Sequence, residues 1–88
     1  MMNPSRAREI ADELLLHILS DAELLESLLG RAGIAPEQLA GIVNGGQAHE
    51  FILDFVTESD DRVIACAGAT GIAASDIGIA ARRLAQRD

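Results

Sequence analysis

Apolar residues recur at every third or fourth position in five to six runs along this chain, and strict apolar–polar alternation never lasts more than a few residues. That spacing predicts helices and excludes a β-rich fold. The first helix is expected from about Pro4 to Leu19, with Asn3 as N-cap and Pro4 in the first turn. Its apolar stripe is Ala7, Ile10, Ala11, Leu14, Leu15 and Ile18. A restart is expected at Ser20, where Glu23 three residues on completes the pattern of a capping box. The second helix presents Leu24, Leu25, Leu28 and Leu29 and ends at Ala32. Gly33 suits the left-handed conformation past a helix end, and Ile34 can fold back on Leu29.

A third, short helix opens with Pro36 and shows Leu39, Ile42 and Val43 on one side; Asn44-Gly45-Gly46 breaks it. The fourth, from about Gln47 to Thr57, has the widest apolar arc: Ala48, Phe51, Ile52, Leu53, Phe55 and Val56. An arc that wide predicts the most buried helix. The fifth follows Ser59, its expected cap, carries Val63, Ile64, Cys66 and Ala67, and stops at Gly71-Ile72. The sixth runs from about Ala74 to Gln86 on Ile77, Ala80, Ala81 and Leu84.

These elements repeat at an offset of 38 residues. Leu14-Leu15 matches Ile52-Leu53, His17-Ile18 matches Phe55-Val56, Leu25 matches Val63, Gly33-Ile34-Ala35 matches Gly71-Ile72-Ala73, and Leu39 matches Ile77. Two copies are too few for an open solenoid. The expectation is one all-α domain over residues 1–88, a compact bundle built from two pseudo-repeated helical units.

Length sharpens this picture. A chain of 88 residues hides only about 60% of its unfolded surface. Fifteen of its apolar positions are alanine, so the core has few large side chains and pairing with a second copy would add stability. Charge excludes more. The net charge is −7, with arginine the only cation besides histidine, and the balance is uneven: +2 over residues 1–8, −11 over 9–61 and +2 over 62–88. Nucleic-acid binders present cationic excess on one face, so this balance disfavours that class. Cys66 is the only cysteine, which excludes an intramolecular disulfide and points to a reducing cytoplasm. No run of about 20 apolar residues exists to span a membrane.

The pattern Leu-Ser-Asp-x-Glu-Leu-Leu at 19–25, Gly-Ile-x-Pro-Glu-x-Leu at 33–39, Phe-Ile-Leu-Asp-Phe at 51–55 and a second acidic turn before Gly71-Ile72 resembles a family of small helical bacterial proteins, the alphaproteobacterial domain of unknown function 3572. The resemblance covers about residues 10–85 and implies an all-helical fold without implying an activity. Family members carry an acidic cap before the proline, where this chain has Ala35, and a second proline where it has Ala74. Both departures imply weaker starts for helices three and six.

Candidate chemistry is sparse. Glu9, Glu13 and His17 share one helical ridge and could supply half a metal site, but His49 is the only other histidine. The repeat sets His17 opposite Phe55, which favours a packed ring. Cys66 sits on an apolar face that would quiet a thiol. Gly45-Gly46 lacks the Lys and Ser/Thr of a phosphate cradle, and Gly30 and Gly41 lie within helices. No catalytic, cofactor-binding or metal-ligating residue is assigned, and no cofactor or small-molecule substrate is expected. Two apolar residues are out of phase: Leu16 among Glu9, Asp12 and Glu13, and Ile79 beside Arg82 and Arg83.

The expected function is a non-catalytic, acidic helical module that binds another protein or a second copy of itself. Its candidate interface is Leu16, Ile79, Arg82, Arg83 and Arg87. The alternative class is a nucleic-acid-associated regulator that places those three arginines on a phosphate backbone. A third is a small enzyme or metal protein using Glu13, His17 and His49.

Overall fold

In the computed structural model, which describes residues 2–45 and 47–85, the chain forms α1 (Pro4–Ser20), α2 (Ala22–Ala32), α3 (Pro36–Val43), α4 (Ala48–Thr57), α5 (Asp60–Thr70) and α6 (Ala74–Ala85). No strand occurs among the described residues. The all-α expectation is met, and the radius of gyration of 12.2 Å is the value of about 12 Å that a single folded chain of this length should have. Gly46 of the predicted helix breaker and Gln86, the expected end of α6, lie outside the described residues.

Local chemistry sets most boundaries. Asn3 accepts a hydrogen bond from the Arg6 amide at 2.8 Å and Pro4 opens α1. Ser59 accepts from the Arg62 amide at 3.3 Å to start α5. Gly33 (φ 69°) and Gly71 (φ 78°) adopt the left-handed conformation that ends α2 and α5. The Gly33 and Ile34 amides both donate to the Leu29 carbonyl, the fold-back expected there. After α5 the Ile72 amide instead donates to the Thr70 hydroxyl.

One cap differs from expectation. Ser20 does not start α2; it is the last residue of α1, and its hydroxyl donates to the His17 carbonyl. Asp21, with extended backbone at φ −119° and ψ 106°, is the single non-helical residue between the two helices, and its carboxylate accepts from the Leu24 amide. Glu23 therefore stands at the second helical position, one short of a capping box, and contributes only favourable charge to the first turn. At α3 the missing acidic cap is offset from the other side: Gln38 Oε1 accepts from the Ala35 amide at 2.8 Å.

Packing centres on α1, which lies along α6, carries α4 across the pair and also touches α2 and α5; α3 rests mainly on α4. The fully buried large side chains are Ile10, Leu14, Ile18, Leu28, Ile52, Leu53, Val56, Cys66 and Ile77. Each contributes about 1.5–3 kcal/mol of transfer free energy for the larger aliphatics, and no polar or charged residue is buried among those described. Helix α4 hides half its residues, the largest share of any helix. Phe51 is half-buried, one of several stripe residues that pack at the edge of the core, with Leu15, Leu24, Leu25, Leu29, Val43 and Val63 among them. One apolar position leaves its expected stripe altogether. Ile64 is 65% exposed, because the core meets α5 along the narrow line of Val63, Cys66, Ala67 and Thr70, and one further residue swings out by about 100°.

The helix limits recur at the 38-residue offset: α2 and α5 coincide from first residue to last, and Asp21 and Gly33 fall on Ser59 and Gly71. The packing is unequal, since α6 lies against α1, α4 and α5 whereas its counterpart α3 contacts chiefly α4.

Burial pushes the Cys66 thiol above its ordinary value; the Arg62 cation opposes that rise and the Asp21 carboxylate adds to it. A raised folded-state pKa means that the fold holds the neutral thiol. The stability it contributes is complete below the unfolded value of about 8.5 and is lost as pH climbs from there toward the folded value. Urea unfolding of wild type and Cys66→Ala across that alkaline range should show the steeper decline in wild type. Equal slopes would place the thiol in a water-like environment. For the caps, Asp21→Ala should cost about 1 kcal/mol and Ser20→Ala less than about 0.5 kcal/mol, with the reverse order returning the cap to Ser20. Gly33→Ala should destabilise because of its positive φ. Gly30→Ala, one turn earlier with nothing within 4 Å of the added methyl, should stabilise by about 0.5–1 kcal/mol. Thermal melts of the two variants should move in opposite directions.

Candidate functional site

Two apolar concavities lie along α4, one facing α2 and the other facing the end of α3. Phe51, Asp54, Phe55 and Glu58 follow one another at helical spacing and form one stripe of α4; Leu28, Arg31 and Ala32 form the facing stripe of α2. Between them is a space of about 180 Å³. An apolar cavity of about 150 Å³ holds benzene, so this one is sized for a single aliphatic or aromatic side chain. A second opening of about 430 Å³ adjoins it, lined by Ile42, Gly45, Gln47 and Phe51. Phe51 is common to both, so the two read as one trough that follows α4 for about 16 Å from Gln47 to Glu58.

One end of the trough is closed by charge. Glu58 takes a bidentate contact from Arg31, with Nε 2.8 Å from Oε2 and 3.1 Å from Oε1. Its Oε1 also lies 3.8 Å from an Arg62 nitrogen. The Arg62 guanidinium stacks 3.9 Å above the Phe55 ring and donates to the Phe55 carbonyl. These contacts tie α2, the end of α4 and α5 together at a place where α2 and α4 are otherwise apart. Along the outer edge of α4, Glu50 and Asp54 make no ion pair among the described residues, and the trough's only lining cation, Arg31, is engaged by Glu58.

The residues singled out in sequence lie elsewhere. Leu16 is 67% exposed on α1; Ile79, at 37%, and Arg82 are exposed on α6; Arg83 is half-buried; Arg87 lies outside the described residues. His49 joins the start of α4 to α1 through Asp12, Nε2 to Oδ1 2.8 Å. Asp12 and His17 are five residues apart, about 140° around α1, so His49 does not meet Glu13 and His17. Among the described residues no group of three or more His, Cys, Asp or Glu side chains is placed to hold a metal ion. No single described helix is long and apolar enough to cross a membrane. Sequence reading missed the trough because it assigned Phe51 to the core. The available signal was the four-residue spacing of the chain's only two aromatics, with Asp54 interrupting their stripe.

No curated protein and no solved structure matches the chain. A family model described as a protein of unknown function, DUF3572, matches residues 4–87. Nearly the whole sequence, from the first residue of α1 to beyond the last of α6, is thus accounted for by one pattern, and the chain belongs to the DUF3572 family.

Proposed function

We propose that this protein is a non-catalytic interaction module of the bacterial cytoplasm that binds a partner through the trough along α4. The observation that carries the reading is Phe51: a large aromatic side chain, half-buried, forming the shared wall of two adjoining apolar spaces. A groove of this length and lining suits an amphipathic helix, whose apolar side chains at successive turns would enter the two spaces. Phe51 would then be the centre of the contact, where aromatic residues contribute most of the binding energy. The buried, single thiol suits a reducing compartment.

Immobilised protein exposed to its own cell extract should retain a partner that Phe51→Ser releases and Leu16→Ser keeps, with the helical circular dichroism of both variants matching wild type. Retention unchanged by Phe51→Ser in a folded protein would remove the trough from the reading.

A further inference from the structure

We propose that the trough is occupied by the exposed edge of α6 from a second copy of this chain, with the Ile79 side chain in the apolar space and Arg82 and Arg83 on the acidic rim. The inference rests on the trough being a docking site and names its partner. The chemistry of a fitting occupant follows from the lining: an apolar anchor beside Phe51 with cations one turn away, able to meet Asp54. Such a segment is present on the chain itself. Ile79, Arg82 and Arg83 stand at i, i+3 and i+4 of α6, on its side away from the buried Ile77 and Ala80. Among the described residues neither arginine makes an ion pair, and neither do Glu50 and Asp54. Asp54 on the trough and the two arginines of α6 belong to different faces of one molecule and are of opposite charge.

A closed pair requires the contact to be made twice. Helices α4 and α6 pack on each other, so donor edge and acceptor trough lie on neighbouring elements. A twofold arrangement then makes the same contact twice, and the assembly ends at two copies. Oppositely charged rims raise the encounter rate and fix the register, and the apolar anchor supplies most of the affinity.

Sedimentation equilibrium at low salt is the test, on wild type, Asp54→Arg, Arg82→Asp and the double variant. Wild type should be a dimer that weakens as salt rises, since the rim pairs are screened. Each single reversal should weaken dimerisation at least tenfold, and the double reversal should recover most of the loss, all with unchanged circular dichroism. A protein that stays monomeric at the highest concentrations reached, or a dimer indifferent to both reversals, would overturn the proposal. A monomer that still retains a different protein in a Phe51-dependent manner would sink the second copy alone and leave the trough standing. Loss of the Phe51 dependence would remove both.

Discussion

The architecture depends on how closely α6 approaches α1. Ala7 and Ala11 on α1 and Ala80 on α6 are fully buried, and their short side chains let the two helices pack with Ile10, Leu14, Ile18 and Ile77 filling the space around them. Helix α4 then lies across the pair and contributes Ile52, Leu53 and Val56. The alanine-rich composition, which leaves few large side chains for a core, is here what allows six short helices to share one. The same fit has a cost. Helix α6 packs extensively on α4, α3 touches α4 only sparsely, and α2 packs mainly on α1. The trough is the space left over.

That space is held open and not collapsed because its far end is fixed by polar contacts. Glu58 stands between Arg31 and Arg62, and Arg62 is itself positioned by the face and carbonyl of Phe55. A solvent-exposed ion pair contributes little by itself, commonly less than about 1 kcal/mol. A carboxylate shared by two guanidiniums, one of them stacked on a ring, has less freedom to lose, and it fixes distance and direction as well as energy. Helix α2 is thereby kept at one spacing from α4. Apolar contact anchors α2 chiefly through the fully buried Leu28, with Leu24, Leu25 and Leu29 engaged with the core only in part.

The helices and most of their ends were legible in sequence because they follow from short-range chemistry: proline at first turns, hydroxyl and amide caps, glycine at positive φ. Even the misplaced cap was recoverable. The 38-residue offset sets Asp21, not Ser20, opposite Ser59, and giving that register priority over the capping-box pattern would have identified it. Exposure was less legible. Ile64 has the same local spacing as a core residue, and only the narrowness of the contact that α5 makes with its neighbours sends it outward. Leu16 and Ile79 could be read as outward-facing from phase alone, since each lies two residues from a fully buried position, about 200° around its helix.

The Phe-Ile-Leu-Asp-Phe segment shows why function was harder to read than fold. Its five residues occupy little more than one turn, so they cannot all face one way. Ile52 and Leu53 go to the core, Phe51 and Asp54 to the trough, and Phe55 serves both, 3% exposed yet lining the space beneath Arg62. A run so apolar reads as packing, and its packing role is real. The trough arises from a division of one turn of helix between two surfaces, and that division is set by how the neighbouring helices pack. Helix α3 leaves Phe51 partly uncovered, Arg31 and Arg62 draw Glu58 across one end, and Asp54 stays on the lining with no ion pair among the described residues. An occupant of the trough would have to satisfy both halves of that surface at once: an apolar side chain alone would leave Asp54 partly desolvated and unpaired, and a cation alone would leave Phe51 wet. A helix that carried both on one face would meet that requirement, and the α6 edge with Ile79 and Arg82 carries both.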